Sequence, residues 1–132
     1  MSNRCDILKY AHSVAVVGIS RYQERTSRRI ADYLVNNGYE VVGVNPNKSF
    51  IDADGIKVFN SLSDIPHSID IVNVFRKSED SPSLINDIIK ADPKVLWLQL
   101  GIRNDQAVKT LKERGIAVIQ DKCIKVEHSM CI

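Results

Sequence analysis

The sequence predicts a single α/β domain, residues 1–132, built on a doubly wound parallel sheet of about five main strands with flanking helices. Three observations carry that expectation. β-Branched apolar runs alternate along the chain with stretches of helical periodicity. The runs are apolar throughout rather than at every second residue, as in strands covered on both faces. Glycine or Asn-Pro stands where several of these segments must stop.

The first strand is Ser13-Val-Ala-Val-Val-Gly18, a β-branched run that ends on glycine. From about Thr26 to Asn36 the apolar residues Ile30, Ala31, Leu34 and Val35 recur at helical spacing, and Gly38 occupies the place of a left-handed C-terminal cap. Glu40 to Val44 is the next strand. It stops at Asn45-Pro46, because proline restricts the residue before it and lacks a ladder donor. Ile56 to Phe59 reads as a short strand, and Ser61-Leu-Ser-Asp64 has the spacing of a capping box that opens one or two helical turns before Pro66.

Ile69 to Phe75 is again strand-like. Ser81-Pro82 caps and starts a helix through Leu84, Ile85, Ile88 and Ile89, and Val95 to Leu100 follows as a strand with Trp97 in the core. Asn104-Asp105 opens a helix using Ala107, Val108 and Leu111. Gly115 ends it, and Ile116 to Ile119 is the last strand. Right-handed crossovers make such an array Rossmann-like, with ligands seated beyond the strand carboxyl ends where the winding reverses. The loops Gly18 to Ser27 and after Phe75 should therefore flank the site.

Composition narrows the function. A chain of 132 residues with 44% hydrophobic and 26% charged residues can bury one core and is not of the disordered class. Eighteen basic against sixteen acidic residues leave a net charge of +2, too small a field to argue for nucleic acid or an anionic membrane. Any anion site must be local. The apolar runs are far shorter than the roughly 20 residues of a helical membrane span. Arg4, Asp6, Lys9 and His12 interrupt the first twelve residues, so no signal peptide is expected. Cys5, Cys123 and Cys131 are odd in number and form no C-x-x-C, which disfavours a disulfide framework and a zinc site and points to a reducing cytoplasm. No metal-binding cluster is visible.

The first loop, Gly18-Ile-Ser-Arg-Tyr-Gln-Glu-Arg-Thr-Ser27, lets a backbone approach closely at Gly18 and places Ser20, Thr26 and Ser27 at a helix start, where backbone donors and the helix dipole favour phosphate. Arg21, Arg25, Arg28 and Arg29 gather at that turn, either as phosphate partners or as a solvated helix face. A dinucleotide-binding G-x-G-x-x-G is absent, since Ser20 and Gln23 hold the second and third glycine places. Asn45 stands where an NAD site carries an acid. NAD is thereby disfavoured, and no P-loop is present.

These stretches, with Val44-Asn-Pro46, Ser61 to Pro66, Val74-Phe-Arg-Lys-Ser-Glu-Asp80, Leu98-Gln-Leu-Gly-Ile102 and Asp121-Lys-Cys-Ile-Lys-Val-Glu-His128, carry a resemblance over nearly the whole chain. The sequence resembles the small bacterial CoA-binding proteins and is similar to the CoA-binding domain of the succinyl-CoA ligase alpha subunit. The resemblance implies that Gly18, Ile19, Ser20, Arg25 and Ser27 receive the phosphates of coenzyme A or an acyl-CoA. It further implies that Asn45 and Pro46 border the adenosine, that Phe75 and Arg76 flank the pantetheine, that Gln99 and Gly101 line the next loop, and that Lys122 and Cys123 face the thiol end. The family often has proline where Thr26 stands, so helix initiation here falls to threonine.

The expected function is a non-catalytic or regulatory CoA-binding module. Two alternatives stay open: a thiol-dependent acyl-transfer or CoA-disulfide redox enzyme using Cys123, and an interaction or regulatory protein with a vestigial nucleotide pocket. Cys123 lies between Lys122 and Lys125, with His128 beyond, and reads either as a nucleophile or as a structural thiol; Glu127 and His128 could be merely exposed near the terminus. Phe75 reads as core or as a ligand platform, and Glu79-Asp80 as a charge complement to the following helix. Whether the chain forms a homo-oligomer or meets another protein is open.

Overall fold

The computed structural model describes residues 3–75 and 81–132. Its elements run α1 (Arg4–Tyr10), β1 (Ser13–Val17), α2 (Thr26–Asn36), β2 (Glu40–Val44), β3 (Asp52–Ala53), β4 (Ile56–Phe59), β5 (Ile71–Val74), α3 (Ser81–Ala91), β6 (Val95–Leu98), α4 (Asp105–Glu113), β7 (Ala117–Ile119) and α5 (Ile124–Cys131). A single 3₁₀ turn at Leu62–Asp64 precedes β5.

The sheet order is β3-β4-β2-β1-β5-β6-β7. Every pairing is parallel except that of β3 with β4, so six parallel strands carry a two-residue antiparallel edge where about five main strands were expected. The winding reverses between β2-β1 and β1-β5, as in the Rossmann order. Each crossover covers one face. Val14, Val16 and Trp97 pack with Leu8, Ile30, Leu34 and Ile124 from α1, α2 and α5. Ala15, Val17 and Leu96 pack with Leu84, Ile88 and Leu111 from α3 and α4.

Helix ends follow their sequence signals closely in two places. At Gly38, φ is +90°, the Tyr39 amide donates to the Leu34 carbonyl and the Gly38 amide to Val35. Gly115, with φ +82°, repeats the pattern through Ile116 to Leu111 and Gly115 to Lys112. Both are Schellman closures that satisfy the last carbonyls of α2 and α4. The Asn104 side chain accepts from the Ala107 amide and caps α4.

Other expectations fail for identifiable reasons. The capping box at Ser61 does not form: the Ser61 hydroxyl pairs with that of Ser63, and only the backbone bond from Asp64 to the Ser61 carbonyl closes the turn. The strand expected through Leu100 ends at Leu98, because Gln99 and Leu100 begin the turn that Gly101 completes at φ +87°. The disfavoured disulfide is present, joining Cys5 of α1 to Cys131 of α5. Both terminal helices went unassigned in the sequence. α5 buries Ile124, Glu127 and His128, so the last two are not exposed tail residues. Glu127 pairs with Arg4 of α1, and His128 Nδ1 bonds the Tyr33 hydroxyl of α2 at 2.8 Å. No helix among the described residues is long and apolar enough to cross a membrane.

Burial holds the His128 imidazole below its ordinary pKa of 6.5, because desolvation penalises the cation. Above 6.5 the imidazole is neutral in both states. As pH falls below that value the unfolded chain takes the proton first, so stability declines until the folded imidazole titrates in turn. Asp54 and Asp70 are held below 3.8 and act only at lower pH. Urea melts at pH 7 and pH 5 should show a loss in the native chain that is smaller in His128→Gln; equal losses would contradict this placement.

Candidate functional site

The strand register brings the sequence-selected loops to one edge. Val17 is level with Val44 and Val74, and Val74 with Leu98. Backbone bonds continue the ladder one step further: Gly18 donates to Val44, Phe75 to Val17, Gln99 to Val74 and Asn45 to Phe59. Gly18, Asn45, Phe75 and Gln99 therefore emerge together at the carboxyl edge. Gly101 joins them through its amide, which donates to Asp121 Oδ1 at 2.7 Å. Lys122 joins through its amide to the Leu98 carbonyl, and its own carbonyl accepts from Trp97 Nε1 at 2.9 Å. Arg76 and the Glu79-Asp80 pair lie outside the described residues; Ser81, expected to cap the helix, is instead the first residue of α3.

The loop from Gly18 to Ser27 is shaped by its own polar atoms. Gly18 takes φ +91°, a conformation that costs a side-chain-bearing residue free energy. Ile19 then turns inward and is fully buried, so only its backbone borders the edge. Its side chain packs over Gly43, where even an alanine Cβ would meet Ile19 Cγ2 at 2.6 Å. The Ser20 amide donates to Ser27 Oγ at 3.0 Å, and Ser20 Oγ accepts from the Tyr22 amide at 3.0 Å. Ser27 is buried, so its hydroxyl fastens the loop back onto α2. Asn45 acts as a strut, donating from Nδ2 to the Ile19 carbonyl at 2.8 Å and accepting the Asn47 amide at 2.9 Å. Pro46 is exposed beside it.

The arginine cluster divides into two roles. Arg28 is 2% exposed, and it bonds the Arg21 carbonyl at 3.1 Å and Asp54 at 2.6 Å. That bond and one from Gln23 Nε2 hold the Asp54 carboxyl below the usual carboxylate range, with Gln23 the larger influence. Arg28 is thus a buried brace, neither a solvated helix face nor a side chain open to a ligand. Arg21 lies over the Phe50 ring at 5.5 Å. Arg25 and Arg29 are exposed.

The start of α2 is electrostatically incomplete. Arg25 is its N-cap residue and supplies no side-chain hydrogen bond, and no acidic residue lies in the first turn. By contrast, Asn3 and Asn104 cap α1 and α4, each followed by an aspartate in the first turn. The first amides of any helix lack internal acceptors, and its positive end favours an anion. Thr26, expected as a cap, is instead the first helical residue.

Beneath the edge lies a polar group that sequence reasoning missed. Asn73 of β5 is fully buried, with Nδ2 directed to the Trp97 carbonyl at 3.4 Å and to Gln99 Oε1 at 3.3 Å, while its Oδ1 has no partner. Gln99 Oε1 also accepts the Ile124 amide at 3.3 Å, which ties the β6 end to the start of α5. The signal was one asparagine inside an otherwise apolar strand, Ile71-Val-Asn-Val74. Cys123 is the unpaired cysteine, half-buried at the N-cap of α5.

Residues 12–129 match the family described as CoA binding domain. The chain belongs to the CoA binding domain family. Within this context, the Bacillus subtilis (strain 168) protein YneT, described as uncharacterized, is 42% identical over 125 residues, covering 95% of this chain and 91% of YneT. The structure of cell-free ID.343 from Thermus thermophilus is similar with a TM-score of 0.93 and 32% identity, covering 99% of this chain and 100% of that one. A dinucleotide-forming acetyl-coenzyme A synthetase 1 of Ca. Korarchaeum cryptofilum shares the fold at TM-score 0.71 and 22% identity, over 83% of this chain and 26% of the synthetase. The CoA binding domain thus occupies nearly the whole of the present chain, with β1 through most of α5 inside the matched range.

Proposed function

We propose that this protein binds coenzyme A or an acyl-CoA at the carboxyl edge of its sheet, as a non-catalytic or regulatory module. The observation that carries this reading is the opening of α2, where a helix N-terminus without a side-chain cap or a first-turn acid is flanked by the exposed Arg25 and Arg29. A diphosphate there would accept the first amides of the helix and neutralise the guanidinium groups. Gly18, Ile19 and Ser20 would border the same phosphates, the Gly18 and Ser20 amides being already engaged with Val44 and Ser27. Asn45 and Pro46 would border the adenosine, Phe75 and Arg76 the pantetheine, with Gln99, Gly101, Lys122 and Cys123 along the path to the thiol. Membership of a CoA binding domain family supports the ligand class.

Arg25→Ala should weaken CoA binding about tenfold to a hundredfold at low salt, since a hydrogen bond to a charged group contributes about 1.5–3 kcal/mol. The deficit should shrink at high salt, where an exposed contact is screened. Titration calorimetry across a salt series checks this. Unchanged affinity at every salt concentration would remove Arg25 from the site.

A further inference from the structure

The disulfide lies at the opposite end of the molecule from the carboxyl edge, at the foot of α5. Cys5 is exposed. Cys131 is half-buried and lines a groove of about 500 Å³ with Leu8, Lys9, Tyr39 and His128. A disulfide with one cysteine at the surface and the other on an open groove offers an attacking thiolate an approach. In the native state the bond fastens one short helix to another. α1 has seven residues and is too short to persist alone. Beyond the disulfide it is held by the buried Leu8, by the Tyr39 hydroxyl donating to the Leu8 carbonyl, and by the Arg4–Glu127 pair.

We propose that Cys5–Cys131 is a thiol–disulfide exchange site for a dithiol reductant, and that its reduction loosens α1 and the last turn of α5 and thereby weakens ligand binding at the other end of α5. The dithiol attacks the Cys5 sulfur, and Cys131 leaves as a thiolate that takes up a proton. The second thiol of the reductant then resolves the mixed disulfide, leaving two protein thiols and one oxidised dithiol. Two electrons and two protons pass to the protein. The eight residues of α5 span about 12 Å, which keeps Cys123 beyond disulfide distance of the pair while the helix is intact. The same helix starts on Gln99 and the Lys122 segment, so its order links the two ends. The coupling half of the proposal rests on the CoA reading; the exchange half does not.

The test treats the folded full-length chain with dithiothreitol, without denaturant. Thiols reactive toward a chromogenic disulfide should rise from one, Cys123, to three. Hydrogen exchange should accelerate more in residues 3–11 and 124–131 than across 95–119, where only the loss of global stability shows. The CoA dissociation constant should rise about fivefold or more, the lower range of allosteric coupling. A chain with Cys5→Ser and Cys131→Ser should match the reduced state, and Cys123→Ser should still respond to dithiothreitol. Reduction that requires unfolding, or exchange that accelerates no more in those two segments than across 95–119, would overturn the exchange site. Equal CoA affinity in both states would overturn the coupling. If neither state bound CoA, the ligand reading would fall, and the exchange rates would still decide for or against the clasp.

Discussion

Replacing Trp97 with alanine is expected to destabilise the protein by about 3–5 kcal/mol, the range for emptying a fully buried aromatic site. Trp97 heads the largest side chains with essentially no exposure, and it sits on β6 level with Asn73 of β5 and Ile119 of β7. Part of that loss is a hydrogen bond and not packing, because its Nε1 donates to the Lys122 carbonyl. Without that donor, the segment leading into α5 loses its tie to the core, and a carbonyl loses its partner at a cost of about 1–3 kcal/mol. Trp97→Phe separates the two contributions: it keeps much of the packing and removes the donor. Denaturant melts should rank the native chain above Trp97→Phe and that above Trp97→Ala. Equality of the phenylalanine variant with the native chain would show that the Lys122 bond contributes nothing.

Loss of the Cys5–Cys131 bond is the second large effect. The two cysteines are separated by 126 residues, so the bond closes almost the whole chain. In the chain-entropy account a loop of that length restricts the unfolded state by about 5 kcal/mol, while measured losses of native disulfides run about 2–5 kcal/mol. With an unfolding entropy that scales with chain length, this corresponds to a fall in Tm of roughly 7–18 °C. Thermal unfolding of the Cys5→Ser, Cys131→Ser chain against the oxidised native chain measures it. A change of less than about 1 kcal/mol would show that the reduced, unfolded chain is already compact enough to gain nothing from the link.

Much of the architecture was legible because its signals are local and apolar. Val14–Val17 and Val95–Leu98 are continuously hydrophobic, and the structure buries every residue of both. Gly38 and Gly115 mark helix ends by a backbone conformation that other residues resist, so their roles could be read without tertiary context. The terminal helices were hidden for the opposite reason. In α5 the inward positions are Ile124, Glu127, His128 and Cys131, which recur at helical spacing. Polar side chains occupy half of that face, so a hydrophobic reading misses it. Only partners distant in sequence, Arg4 and Tyr33, make the burial of Glu127 and His128 tolerable.

The candidate site was legible in the same uneven way. Gly18, Asn45, Phe75, Gln99 and Lys122 meet at one edge because strand order alone puts them there. The division of labour among the arginines depends on Asp54, which lies 26 residues beyond Arg28 on the turn between β3 and β4. Nothing near Arg28 announces that pairing. The disulfide escaped for a related reason, since an odd cysteine count carries no information about which ends the fold brings together.

The most direct measurement is titration calorimetry of the full chain with CoA, dephospho-CoA and NAD under one buffer condition. A phosphate-receiving edge at α2 without an acid at Asn45 predicts saturable binding of CoA and of dephospho-CoA, which keeps the diphosphate, and no heat from NAD. Saturable binding of NAD with none of CoA would contradict it.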